Sequence, residues 1–126
     1  MKIPFTVTHD APGVFGLFLV NGFDAPTPQI LVNTANLKRR LPNTWKREAI
    51  AIWAHEATHM LHYIARGCRP YSNLVSLYGE EIRCHAVQRF AERILGLKPL
   101  WPSAESGAMA SIRTMLHGYF KPLRTK

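Results

Sequence analysis

Cysteine is scarce in this chain. With only Cys68 and Cys84, at most one disulfide could form, far from the stapled framework of a small secreted scaffold, and both read as free thiols. Long apolar runs are missing too. The longest, Val14 to Val20, contains Gly16 and follows Pro12-Gly13, and it falls well short of the ~18 residues that a membrane-spanning helix needs. Met1 to Thr6 has no charged segment leading into an apolar one, so no secretory signal is read there and a cytoplasmic location is expected. No repeat or low-complexity stretch is present.

Acidic residues are the third shortage. Eight Asp and Glu stand against sixteen Lys and Arg, giving a net charge of +8 and a pI near 10. Lys38, Arg39, Arg40, Lys46 and Arg47 lie close together, and the tail from Lys121 to Lys126 is basic. A nucleic-acid or acidic-substrate partner is compatible with that charge. A solvated basic surface is the favoured reading, because no aromatic-interleaved strand-binding pattern and no DNA-reading module accompanies it. At 126 residues and 47% apolar, the chain is expected to form one domain, 1–126, with a sizeable core and no room for a second.

The first third reads as β structure. Thr6-Val7-Thr8 is a short strand candidate and Val14 to Val20 a longer one that ends at the turn signal Asn21-Gly22; a proline-rich loop follows. Gln29 to Asn33 is the third, and the pattern suggests a small antiparallel sheet. Thr34 to Leu41 suits one or two helical turns closed by Pro42. A long helix then runs from Asn43 or Thr44 to Arg66 before Gly67. Its apolar positions Ala49, Ile50, Ile52, Trp53, Ala57, Met60, Leu61 and Ile64 cover more than half its circumference, so it is expected to be largely buried. After a loop, a second helix starts near Leu77 or Gly79 and ends at Gly96. Ile82, Ala86, Val87, Phe90, Ile94 and Leu95 form its apolar face, and Arg83, Arg89 and Arg93 are assigned to the other. A third, capped by Ser103, runs from Ala104 to about His117. The expected class is α+β: a small antiparallel N-terminal sheet packed on a buried active-site helix and two further helices.

Inside the long helix lies His55-Glu56-Ala57-Thr58-His59. Histidines four apart sit about 40° apart around a helix, so both imidazoles can reach one metal ion. Glu56 projects beside them, where a carboxylate can take a proton from a metal-held water. His-Glu-x-x-His on a helix is the zinc-hydrolase signature, but chance alone places it in roughly one chain in eighty of this composition. The remaining sequence must therefore supply a third ligand. Glu81, near the start of the next helix, is the best placed, with Glu80 and His85 as alternatives.

Taken together, His55-Glu56-x-x-His59 and Glu81-x-x-Cys84-His85 resemble the gluzincin class of zinc metallopeptidases, which includes thermolysin and small bacterial and phage-borne enzymes. The similarity runs from Ile30 to about Leu95. It implies a zincin-like fold, zinc as cofactor, His55, His59 and Glu81 as ligands, Glu56 as general base and a peptide or protein as substrate. It also makes Ile30 to Asn33 similar to the edge strand on which an extended substrate lies. His85 stands where the family has Asp or Asn bonding a ligand histidine. The metzincin pattern is excluded, since it requires glycine and histidine where this chain has His62 and Ala65. Zinc deformylase-like enzymes are disfavoured because both cysteines follow the histidine helix.

The other histidines have ordinary explanations. His62 is expected beside the centre or on a cleft wall, His9 on the surface, and His117 at a helix end whose dipole it suits. Tyr78, three residues before Glu81, is the first choice as oxyanion donor, ahead of Tyr71 and Tyr119. The competing reading from another class is a basic nucleic-acid- or protein-binding module whose zinc site is structural or specialised.

Overall fold

The computed structural model describes residues 5–7, 16–19, 29–69, 71–114 and 116. His9, the Asn21-Gly22 turn, His117, Tyr119 and the basic tail lie outside the described residues. Three short strands, β1 (Phe5–Val7), β2 (Gly16–Leu19) and β3 (Gln29–Val32), precede four helices: α1 (Thr34–Arg40), α2 (Trp45–Ala65), α3 (Leu74–Ile94) and α4 (Ala104–Thr114).

The expected α+β class with an antiparallel sheet and two helices beside the active-site helix is corrected by this arrangement. The described residues are dominated by helix, three helices accompany α2, and the strands are only three or four residues long. The ladder they form is mixed. Its order is β1-β3-β2, with β1 parallel to β3 (Phe5 opposite Ile30) and β2 antiparallel to it (Leu17 opposite Leu31). Strand β3 is therefore interior, and the expected edge-strand role for Ile30 to Asn33 is also overturned. Ile30 and Val32 are fully buried, as a strand bonded on both sides requires.

Local chemistry explains the helix starts. Asn33 caps α1, its side chain accepting from the Asn36 amide at 3.1 Å; Asn73 caps α3 in the same way, accepting from the Ser76 amide at 2.8 Å. That cap begins α3 one turn earlier than the apolar pattern suggests. Gly67 and Gly96 take φ of +71° and +70° after α2 and α3, the left-handed conformation in which a Cβ is costly. The exposed Lys38, Arg39 and Arg40 occupy the last turn of α1, where positive charge complements the helix dipole, and the Lys38 ammonium lies 4.6 Å over the Trp45 ring. No helix among the described residues is long and apolar enough to cross a membrane. Both cysteines are free, Cys68 exposed and Cys84 buried.

The apolar core lies between β3, α1 and α2. Ile30, Val32, Leu37, Ile52, Ala57 and Met60 form it, with Trp45, Trp53 and Leu100 packed at its margin. Burial of α2 is less complete than its composition suggests, since Ile50, Leu61 and Ile64 are exposed. Helix α3 departs further. Its apolar stripe faces outward, with Phe90 62% and Ile94 68% exposed, while its buried positions are Glu80, Glu81, Cys84, His85, Gln88 and Glu92. Apolar periodicity pointed to the wrong side of this helix because the side that packs on α2 and α4 is polar.

Glu48 on α2 belongs to the same polar interface. Its Oε2 has no hydrogen-bond partner among the described residues. Burial, with the Glu92 charge second, pushes its pKa up to about 7, and the Arg47 charge offsets part of this. A folded pKa above the ordinary 4.5 means that the fold binds an extra proton between those values. Stability is then greatest below the unfolded pKa, declines as pH rises through the window and stays low above about 7. Glu48→Gln is expected to stabilise the protein above that window by on the order of 2 kcal/mol and to change little in acid, as read from urea midpoints at the two pH values. Parallel pH profiles for variant and parent would contradict this account.

Candidate metal centre

Helices α2 and α3 bring together the residues singled out in the sequence. His55 and His59 stand one turn apart on α2, with ring centroids 5.0 Å apart. Glu81 on α3 faces both: its Oε1 lies 3.4 Å from His55 Nε2 and its Oε2 2.9 Å from His59 Nε2. Glu56 Oε2 lies 3.8 Å from His55 Nε2. All four side chains are buried or nearly so.

Do these groups fit a metal? Two donors about 2.0–2.1 Å from one tetrahedral ion stand roughly 3.3–3.4 Å apart. The His55 to Glu81 separation has that length. Glu81 Oε1 is also a buried oxygen with no hydrogen-bond partner among the described residues, a state that costs free energy unless a cation or donor completes it. Although burial opposes its charge, the His55 and His59 imidazoles beside it hold the Glu81 carboxyl well below the usual carboxylate range. The donor set, two imidazoles and one carboxylate, suits zinc.

Glu80 occupies the opposite side of His59. Its Oε2 lies 3.0 Å from His59 Nδ1 and accepts from the Cys84 thiol at 3.5 Å. Its Oε1 lies 2.7 Å from His62 Nδ1 and accepts from the Tyr71 hydroxyl at 3.0 Å. Burial opposes the charge of this carboxylate, but the bonds to His59, His62 and Tyr71 bring its pKa down to about 2. His59 thus lies between two carboxylates. Burial disfavours its charged form, yet bonds to Cys84, Glu80 and Glu81 hold its pKa well above the imidazole range. A divalent cation on the Nε2 side would balance Glu80 and Glu81 together, leaving Nδ1–H to donate to Glu80.

Three donor groupings among the described residues have ligand atoms that all lie close together, and the set His55, His59 and Glu81 is not one of them; chemistry nevertheless ranks the three lower. Ligand atoms of His62, Glu80 and Cys84, of His55, His59 and Cys84, and of His55, Glu81 and His85 each lie within 4.8 Å of one another. In the first, both Glu80 oxygens are already saturated by hydrogen bonds. In the first two, burial pushes the Cys84 thiol up to about 12, so it stays a proton donor and not a thiolate ligand. His85 is held neutral, its pKa brought down to about 3 by burial and then by the His55 charge. Its Nε2 lies 2.9 Å from Ser111 Oγ on α4 and 3.9 Å from Glu81 Oε1. An alanine Cβ at Gly107 would come within 2.5 Å of His85 Nδ1, so α4 closes flush over this ring.

Tyr78 is half-buried on α3, and no polar contact among the described residues joins its hydroxyl to the centre. Tyr71 is the tyrosine bonded into it, through Glu80. Sequence reasoning missed Gln88, whose Oε1 lies 2.9 Å from His55 Nδ1 and fills the place left open by His85. A signal for it exists: Glu81, His85, Gln88 and Glu92 repeat at spacings of four, three and four, which puts these polar residues on one helix face. β2 also approaches the centre, since a Cβ at Gly16 would lie 3.2 Å from Glu56 Oε2.

Glu80→Gln removes the charge that orients His59 while keeping its size. It is expected to weaken zinc binding by about tenfold or more, measured by competition with a chromophoric chelator. An unchanged affinity would mean that Glu80 serves the helix interface only.

Comparison of the chain with protein-family models, with curated proteins and with solved structures found no match in any of the three, so the resemblance to gluzincins rests on the motif residues themselves.

Proposed function

We propose that this protein is a zinc-dependent peptidase of gluzincin type, with His55, His59 and Glu81 holding the metal and Glu56 acting as general base. One observation carries the reading: Glu81 spans the two Nε2 atoms of the His55-Glu56-x-x-His59 helix, and the Glu56 carboxylate lies beside them. Zinc at such a site supplies a Lewis acid that acidifies water and polarises a carbonyl.

The chain's own residues provide the rest. Burial pushes the Glu56 pKa up, with the His55 and His59 charges opposing the shift. A carboxylate of raised pKa is a better base for water than an ordinary surface glutamate, and in its protonated form it can return the proton to the leaving amine. Gln88 and Glu80 engage the Nδ1 atoms of His55 and His59, leaving the Nε2 atoms toward Glu81. His85, held neutral, lines the site without adding charge. The oxyanion-donor role is proposed for Tyr78, whose position on α3 is near Glu81; Tyr71 is engaged by Glu80.

Two substitutions test this reading. Glu56→Gln is expected to keep stoichiometric zinc and the fold while lowering peptide hydrolysis by about 10²–10⁴-fold. Cleavage at the parental rate would refute the catalytic assignment. Glu81→Ala is expected to lose stoichiometric zinc on metal analysis of the purified protein; full retention would move the third ligand to Glu80 or His85.

A further inference from the structure

The two histidines of α2 are oriented without help from His85. His55 Nδ1 lies 2.9 Å from Gln88 Oε1, and His59 Nδ1 lies 3.0 Å from Glu80 Oε2. His85 is nonetheless buried at the centre, one turn after Glu81 on α3, so the two side chains project from the same side of that helix. Its ring packs edge-to-face on His55 with centroids 4.3 Å apart, closer than the 5.0 Å between His55 and His59. A buried imidazole at that position, with neither ligand ring to orient, is a spare nitrogen donor.

The two oxygens of Glu81 face different partners. Oε2 lies 2.9 Å from His59 Nε2, whereas Oε1 lies 3.4 Å from His55 Nε2 and 3.9 Å from His85 Nε2. Oε1 is also the Glu81 oxygen left buried without a hydrogen-bond partner among the described residues. Of the three close donor groupings, His55, Glu81 and His85 is the one whose members are all buried, and it needs no thiolate. It shares His55 and Glu81 with the set already assigned, so it extends that set and does not compete with it. The 3.9 Å separation exceeds the tetrahedral donor spacing by about 0.5 Å, but it lies inside the roughly 2.9–4.1 Å that the same bond lengths give around a five-coordinate ion. Helix α4 holds the ring in place: Gly107 backs its Nδ1 side, and Ser111 Oγ lies 2.9 Å from Nε2. The nitrogen that faces the centre thus has a neutral hydroxyl as its partner, one that a divalent cation displaces more readily than it would a carboxylate.

We propose that His85 is a fourth protein ligand of the metal centre, binding through Nε2 together with His55, His59 and Glu81. The inference rests on the zinc reading of this site and deepens it. An additional neutral donor tightens retention of the ion without changing the charge of the site. It also makes α4 part of the centre, since Gly107 and Ser111 set where the fourth donor stands. With four protein donors, room for a water requires a five-coordinate ion.

The first test needs no substitution. The full chain, labelled with ¹⁵N-histidine, is loaded with ¹¹³Cd²⁺, a substitute for zinc that splits the NMR signal of each ring nitrogen bonded to it. Splitting is expected at Nε2 of His55, His59 and His85. Splitting at His55 and His59 alone would overturn the proposal and leave the zinc reading intact, whereas no splitting at any of the three would overturn both. Zinc affinity by chelator competition is the second readout. His85→Asn keeps a group able to bond Ser111 and is expected to lower affinity by more than about 100-fold, beyond the 10–100-fold that loss of a ligand's outer partner costs. A loss within or below that range would place His85 beside the ligands instead of among them, and the proposal would fall. Ser111→Ala removes the partner that competes for Nε2, so affinity should be unchanged or raised. A fall as large as that of His85→Asn would mean that His85 acts only through its packing on α4, which also overturns the proposal.

Discussion

Burying carboxylates between two helices imposes a strict requirement: every oxygen needs a donor or a cation, because the interior does not solvate charge. The packing of α3 on α2 is governed by that requirement. Glu80 meets it with His59, His62, Tyr71 and Cys84, and Glu92 meets half of it with Gln88 and the Leu100 amide. Glu81 meets it only partly, with one oxygen left unbonded beside His55. Glu48 meets it by keeping a proton into the neutral range. Of these four acids only Glu80 bonds both oxygens to partners among the described residues; Glu48, Glu81 and Glu92 each leave one unbonded, and that of Glu81 lies beside His55.

The rest of the architecture serves this interface. The apolar core of β3, α1 and α2 holds α2 by its other contacts, so that His55, Glu56 and His59 are presented on a helix that is already fixed. α4 closes over His85 through Gly107 and Ser111. Gly16 lets β2 lie against Ile52 and Glu56, where a Cβ would collide with the Ile52 methyl and crowd the Glu56 side chain. Rigid elements on several sides keep the donors at their separations without help from long loops.

How much of this was legible in the sequence varies by element and for physical reasons. The helix carrying His55 and His59 was readable because periodicity, breaker residues and motif agree along Trp45–Ala65. That Glu81 lies against the two histidines was readable because it stands near the start of the next helix, which the intervening loop is long enough to bring beside α2. The orientation of α3 was not, since periodicity assumes that the apolar side is the buried side; here Phe90 and Ile94 face outward and Gln88 and Glu92 face in. The sheet order was also hidden. Alternation and β-branching describe a strand but not its neighbours, and nothing local to Ile30 and Val32 says that β1 lies parallel on one side and β2 antiparallel on the other.

The polar seam of α3 has a consequence for how the domain holds together. Cys84 is the one apolar side chain among its fully buried positions, so α3 gains little docking energy from hydrophobic burial against α2. Its attachment instead draws on the hydrogen bonds and charges at the centre itself. Any cation that binds between His55, His59 and Glu81 therefore ties the two helices together, and occupancy and folding become two readings of a single equilibrium. In such a protein the supply of metal in its surroundings would act as a determinant of how long the chain survives proteolysis, before it acts as a determinant of turnover.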